Sequence, residues 1–326
     1  MKTSTLICLQ IPEKEIKDIF VSQTEEWPEF GERIKDLDRI QVRRLFSDHQ
    51  EIDIQFNPAR ISSTTAAIDK NSLSQRPCFL CSANQPVQQQ HIDLCHKYFL
   101  AVNPYPILRY HFTISAQNHT PQAIRDHIDD LCQMVWQLPS MTLFYNGAHC
   151  GASAPDHMHF QMGEKGQIPL QYNWYLISKS LSPLITLGDE GIYLSEDYIV
   201  PFIAIKASSP ETAGHMLEHL FEVLPCSNNT EPNINILSWK EDNHIVICVI
   251  PRKKHRPNCY NATDNSRCLI SPGCLDMGGL VITPLSSDFH RLSAHDAISI
   301  LQEVGISRDE AADISNRLIS HFRELL

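Results

Sequence analysis

The stretch Asn146-Gly-Ala-His-Cys-Gly151-Ala-Ser153-Ala-Pro-Asp156-His157-Met-His159-Phe-Gln161 decides how the rest of the chain is read. Its last five residues alternate polar and apolar. A strand repeats every two residues, so His157, His159 and Gln161 are expected in one row on one sheet face. The glycine- and alanine-rich turn before them, with Gly151 inside it, lets backbone N–H groups approach a phosphate closely. A nucleophile, a polar neighbour and backbone donors for equatorial oxygens together suit attack on phosphorus. Alternating histidines on a strand can also be a plain polar sheet face; the preceding loop and Gln161 argue for more than that.

Outward from this stretch the pattern is strand, strand, helix, strand, loop, strand. KYFLAVNPYP (97–106) and RYHFTISAQNH (109–119) read as strands, the first bounded by prolines. A helix is expected over 121–138, opened by Thr120 as N-cap and Pro121 in its first turn, with Ile124, Ile128, Leu131, Met134 and Val135 on one stripe. MTLFYNG (141–147) then reads as a strand. Further on, YIVPFIAIKAS (198–208), a Ser/Pro-opened helix over 209–225, NINILSW (233–239) and HIVICVIP (244–251) repeat the same order loosely. That repetition suggests duplication of an α+β unit. The second copy has no His-x-His at the matching strand, so only the first is expected to keep a nucleophile.

The histidine segment resembles the His-x-His-x-Gln motif of the transferase branch of the histidine triad superfamily. That branch includes hexose-1-phosphate uridylyltransferases, dinucleoside polyphosphate phosphorylases and GDP-hexose phosphorylases. The resemblance implies an α+β fold of two tandem histidine-triad-like halves, each an antiparallel sheet with packed helices. It makes His159 the residue that forms a covalent nucleotidyl intermediate and Gln161 the residue that contacts its phosphate. It places Asn146, Gly151 and Ser153 near nucleotide or phosphate, although Asp156 is one residue more than the motif has before its first histidine. The organisation expected is an N-terminal segment 1–75 joined to the first half, a catalytic half 76–165, and a non-catalytic half 166–326 that completes the pocket. Residues 163–196 read as the connection between halves, 41–61 as extended, and 62–75 as a polar loop.

A second constellation is Arg76-Pro-Cys78-Phe-Leu-Cys81. A CxxC pair is half a metal site, a redox pair, or two buried thiols; no thioredoxin-like βαβ pattern surrounds this one. The resemblance adds that uridylyltransferases complete a structural zinc site with a histidine after the second strand and the first histidine of the motif, here His119 and His157. Cys78, Cys81, His119 and His157 would make a sound tetrahedral zinc set. No organic cofactor is expected.

Weaker candidates surround these. Asn103, in Val-Asn-Pro-Tyr-Pro, resembles the residue that ends a strand near the nucleoside in the family, or is a turn residue before proline. Arg60 could neutralise phosphate or be a surface charge. Pro251-Arg252-Lys-Lys254-His-Arg256-Pro is the densest basic run of the chain, read either as a solvated loop or, through Arg252 and Lys254, as a phosphate site. This run and Asp276-Met-Gly-Gly-Leu-Val-Ile resemble stretches of GDP-hexose phosphorylases.

Composition limits the partners. The 326 residues carry 38 Asp and Glu against 27 Lys and Arg, a formal net charge of −11 with His neutral. Such an excess argues against non-specific nucleic-acid or anionic-membrane binding, which needs basic surface. The start, MKTSTLICLQIPEKEI, meets acidic residues too soon for a signal peptide, and the 11 cysteines are odd in number and scattered, so a cytoplasmic protein is expected. The favoured function is phosphorolysis of a GDP-hexose to GDP and hexose 1-phosphate. Its partners would be a nucleotide-sugar and inorganic phosphate or a sugar phosphate, in a chain that the family implies is a homodimer. The rivals are a uridylyltransferase or dinucleoside polyphosphate phosphorylase using the same His159, and a zinc-stabilised nucleotide sensor without turnover.

Overall fold

Strands form where bulky and β-branched residues alternate, and the computed structural model resolves them into two sheets. It describes residues 12–47, 50–226 and 231–325; the start over 1–11, on which the reading against a signal peptide rests in part, lies outside the described residues. The strands run β1 (Gln41–Ser47), β2 (Gln50–Phe56), β3 (Ile92–Leu94), β4 (Tyr98–Val102), β5 (Phe112–Ala116), β6 (Met141–Asn146) and β7 (His159–Glu164). They continue with β8 (Ser182–Leu187), β9 (Glu190–Ser195), β10 (Phe202–Ala207), β11 (Ile234–Glu241), β12 (His244–Pro251) and β13 (Leu280–Thr283).

Ten of these strands make one antiparallel sheet in the order β3-β4-β5-β7-β6-β11-β12-β10-β9-β8. Read from either edge to the middle, the order is the same: β3-β4-β5-β7-β6 from one side, β8-β9-β10-β12-β11 from the other. Each half places one long helix between its third and fourth strands in sequence, Ile128–Gln137 in the first and Pro210–Val223 in the second. The α+β fold of two tandem antiparallel halves is therefore what the chain adopts, and the halves join through the β6–β11 pair.

One face of the sheet carries Tyr98, Leu100, Phe112, Ile114, Phe160, Ile205 and Ile247, all buried against Leu131, Met134 and Val135 of the first helix and Leu217 and Leu220 of the second. At about 1.5–3 kcal/mol for each large apolar side chain taken fully out of water, this layer dominates the stability of the fold. Helix Glu13–Glu26 adds Ile16 and Phe20 to the same layer. On the opposite face the second half presents Leu237, Trp239, Cys248 and Ile250, covered by a small sheet of order β1-β2-β13 and by Ala297 and Leu301 of helix Ala294–Val304.

Several expectations are corrected. The helix over 121–138 begins only at Ile128, after a single 3-10 turn, and Thr120 and Pro121 do not cap it. Residues 120–122 bond instead to the start of β7: the Thr120 carbonyl accepts from Met158 N at 2.7 Å, and the Gln122 side chain is buried there. The expected connector 163–196 holds the β8–β9 hairpin, which turns at Gly188 with φ +66° and belongs to the sheet of the second half. The extended stretch 41–61 is the β1–β2 hairpin followed by the turn Pro58–Arg60, and the loop 62–75 contains helix Lys70–Gln75. β13 pairs with β2 in parallel, so the N-terminal segment joins the last third of the chain as well as the first half. No helix among the described residues is long and apolar enough to cross a membrane.

Candidate active site

Residues directly opposite on paired strands share a face. Ala101, Thr113, Gln161 and Phe144 face one another across β4, β5, β7 and β6, with Ser115 opposite His159 in the next register position. Here the small sheet does not cover the large one, and a cavity of about 700 Å³ opens over the face.

His159 opens β7 and lines that cavity. Gln122 holds its backbone on both sides: Oε1 accepts from His159 N at 2.8 Å, and Nε2 donates to the carbonyls of His159 and Asn146 at 3.0 and 2.9 Å. The His159 Nδ1–H donates to the His157 carbonyl at 2.8 Å, which fixes the tautomer and leaves Nε2 as the lone-pair nitrogen. Burial, only partly offset by that bond, lowers the His159 pKa to about 4, so the ring is neutral near pH 7. His157 is not in the same row: it lies in the turn before β7 and points to a different cluster.

That cluster is Cys78, Cys81, His119 and His157, whose ligand atoms all lie within 4.8 Å of one another. His157 Nδ1 is 3.3 Å from Cys78 Sγ and 3.6 Å from Cys81 Sγ, and His119 Nδ1 is 3.2 Å from Cys81 Sγ. Zinc arms of about 2.0–2.3 Å give tetrahedral edges of about 3.3–3.8 Å, so the set fits the ion. Both histidines have their other nitrogen engaged, as ligand histidines do. His157 Nε2 donates to the Ala116 carbonyl at 2.8 Å, and His119 Nε2 is 3.5 Å from Asp156 Oδ2. Asp156, the residue in excess of the family motif, thus has a place beside the cluster.

The loop between β6 and β7 meets the second half of the chain. Gly151 has φ +100°, and a Cβ there would come within 2.6 Å of Gly273 Cα. Asn146 Oδ1 accepts from Cys274 N at 2.7 Å and from Asn235 Nδ2 at 2.9 Å, which ties β6 to the turn at 272–274. Asn146, Gly151, Ser153, Asn103 and Arg60 all line the cavity.

Arg252 and Lys254 do not. Arg252 is buried, and its five N–H groups go to the Val304, Pro272, Lys254 and His255 carbonyls and to Asn235 Oδ1. Lys254 pairs with Glu303 and with Asn258 Oδ1. The basic run reaches the cavity instead through His255 and Arg256. Arg256 donates to Ser271 Oγ and to the Thr64 and Ala66 carbonyls through Nε and Nη2, which leaves Nη1 with no acceptor among the described residues. Burial and the neighbouring Arg256 and Arg252 charges lower the His255 pKa to about 4.

Sequence reasoning passed over Arg76, Arg33 and His111. Arg76 donates through Nη2 to the Ser153 carbonyl at 2.8 Å, and its buried Nε has no partner among the described residues. Its place directly before the CxxC was the available signal. The charged side chains lining the cavity are Arg33, Arg60, Arg76 and Arg256 against Glu29 and Asp276, so this is a basic concavity in an acidic chain. Burial lowers the Arg60 pKa to about 10, still fully protonated at neutral pH, and raises that of Asp276 to about 6. Four arginines and a neutral imidazole lining one cavity suit a ligand with more than one phosphate.

Comparison with known proteins supports the fold. A family model described as a domain of unknown function (DUF4922) matches residues 19–164. No curated protein matches the sequence. The yeast Ap4A phosphorylase Apa2 is similar in structure at 16% identity and a TM-score of 0.57, over 86% of this chain and 97% of that one. The same enzyme in complex with Ap4A matches at 14% identity and a TM-score of 0.56, over 86% and 97%. A DUF4931 family protein from Bacillus cereus ATCC 10987 matches at 11% identity and a TM-score of 0.43, over 72% and 99%.

Proposed function

We propose that the protein is a nucleotidyl transferase that works through a covalent nucleotidyl–His159 intermediate, with a GDP-hexose as donor and inorganic phosphate as acceptor. The observation that carries this is His159: its Nδ1 proton is held on the His157 carbonyl, and the ring lines a cavity that four arginines also line. In the first step Nε2 attacks the α-phosphorus and the bond to the bridging oxygen breaks, so hexose 1-phosphate leaves. The positive charge on the ring is shared with the His157 carbonyl through Nδ1–H. In the second step a phosphate oxygen displaces the imidazole from phosphorus and GDP departs. Each displacement is in line, and catalysis consists of positioning and charge neutralisation by the arginines and Gln161.

The donor class rests on the resemblance of residues 251–257 and 276–282 to GDP-hexose phosphorylases. A dinucleoside polyphosphate donor is the second reading, favoured by the likeness to a phosphorylase whose structure holds Ap4A. Both readings use the same nucleophile. Cys78, Cys81, His119 and His157 would hold one zinc ion with a structural role, since none of the four lines the cavity.

The test is product analysis with purified protein, inorganic phosphate and a panel of GDP-, UDP- and ADP-hexoses and dinucleoside polyphosphates. GDP formation that requires phosphate and falls at least about 10⁴-fold in His159→Ala supports the reading. Turnover of dinucleoside polyphosphates alone selects the second reading. Binding of nucleotide with no turnover of any donor leaves the sensor and removes both.

A further inference from the structure

Resting on the nucleotidyl-transfer reading, we propose that His111 and Asn103 are positioning residues that fix which end of the Gln161 amide faces the ligand. An amide has an acceptor end and a donor end, and only the donor end can serve a phosphate oxygen. The polarity of Gln161 is set by two backbone N–H groups of the turn at 103–107, because a backbone N–H can only donate.

Ile107 N donates to His111 Nδ1 at 3.0 Å. His111 is fully buried, and burial together with the Arg60 charge pushes its pKa down to about 3, so the ring is neutral. With Nδ1 accepting, the single ring proton is on Nε2, and that proton is donated to Gln161 Oε1 at 3.0 Å. Tyr105 N donates to Asn103 Oδ1 at 3.0 Å, which turns the Asn103 amide so that its Nδ2 reaches Gln161 Oε1 at 3.4 Å. Two donors therefore converge on the Gln161 oxygen, each oriented by its own backbone N–H. The remaining Gln161 Nε2–H₂ is left for the cavity that Gln161 lines. Fixed in this way, the amide needs no reorganisation when charge develops on the transferring phosphoryl group.

The first test needs no turnover. Nitrogen-15 NMR of the wild-type histidines should show His111 as the Nε2–H tautomer with an unprotonated Nδ1; an Nδ1–H tautomer or a doubly protonated ring overturns the proposal. The second is a double-mutant cycle. His111→Phe should lower kcat about 10²-fold with KM nearly unchanged, and in a Gln161→Ala background it should cost almost nothing further. Losses that multiply in the double variant show that His111 acts independently of Gln161 and sink the idea. If the wild type turns over no donor, the nucleotidyl-transfer reading fails on its own, and the tautomer still decides the polarity of Gln161.

Discussion

The two halves of the ten-stranded sheet share one continuous face, and it is used in opposite ways. On the first half the row reads Ala101, Thr113, Gln161, Phe144; on the second it continues Leu237, Cys248, Ala204. The second part is sealed by the small sheet through Ile52, Ile54 and Val281. Sealing the first part in the same way would strip water from His159, Gln161 and Asn103 without giving them partners for all their polar groups, which is costly. The duplicated architecture thus separates tasks: the second half packs both faces, and the first leaves one face open for a ligand. Such an open half lacks part of the apolar burial that its twin has, and the proposed zinc, held by Cys78, Cys81, His119 and His157, would compensate by linking the turn at 78–81 to the ends of β5 and β7.

If these four residues hold zinc as proposed, the largest effect is expected from its removal. Structural zinc contributes on the order of 10 kcal/mol in small zinc-dependent domains. Purified protein should contain one zinc per chain by elemental analysis. Chelation, or Cys81→Ser, should abolish hydrogen-exchange protection in β4, β5 and β7 while β10–β12 keep theirs. Equal loss in both halves would break the comparison, and no zinc in the native protein would remove its premise.

Next in size is the acid sensitivity of the open half. His111 titrates near 6.5 when unfolded and at about 3 in the fold, chiefly through burial and then the Arg60 charge, with the Gln161 bond opposing. Below pH 6.5 the unfolded chain binds a proton that the folded one refuses, so this contribution to stability falls as pH falls. The loss should reach about 3 kcal/mol by pH 4.5. Urea unfolding at pH 7 and pH 4.5 checks this: His111→Phe is less stable at pH 7, but its decline with acid should be shallower than that of the wild type by about this amount. Parallel declines mean that His111 is protonated in the folded protein.

These two predictions also mark the limit of what the sequence discloses. His159 and Gln161 were legible because a period of two on one strand and a small-residue turn are local patterns. The helix stripe from Ile128 to Val135 was legible for the same reason, although the helix start was placed too early and took in Ile124, because Gln122 is held by the backbone of His159, 37 residues away. His111 carried no such signal. Its meaning comes from Ile107 N in the turn before it and from Gln161, which is 50 residues further on. The β8–β9 hairpin was read as a connector because β8 is an edge strand with a half-exposed, unpatterned surface. The parallel pairing of β2 with β13 joins residues more than 220 apart and leaves no trace in local spacing.

The basic run sharpens the comparison on a smaller scale, since it contains both uses of a cation within five residues. Arg252 is spent on five acceptors, whereas Arg256 keeps Nη1 without one and lines the cavity. Arg256→Ala should therefore raise KM for the nucleotide donor about 10- to 100-fold, the range of a charge-assisted bond to phosphate. Steady-state kinetics with the donor found in the panel measures it. An unchanged KM would return Arg256 to a purely structural role, clasping the Thr64 and Ala66 carbonyls.

Lys254 gives the smallest effect and the cleanest control. Its ammonium is half-exposed and pairs with an equally half-exposed Glu303, which also accepts from Asn258 N at 3.0 Å. A solvent-screened pair of this kind is worth under about 1 kcal/mol, because the Coulomb gain is offset by hydration and side-chain entropy. Lys254→Ala is accordingly expected to shift the urea midpoint slightly and to leave KM unchanged. The two substitutions remove the same formal charge two residues apart, so long-range attraction of an anionic donor would respond to both alike. A KM that rises as much in Lys254→Ala as in Arg256→Ala would show that the whole run acts as one basic field. A KM that rises only in Arg256→Ala would show that the direction of the side chain, into the open face or away from it, decides which cation meets the phosphate.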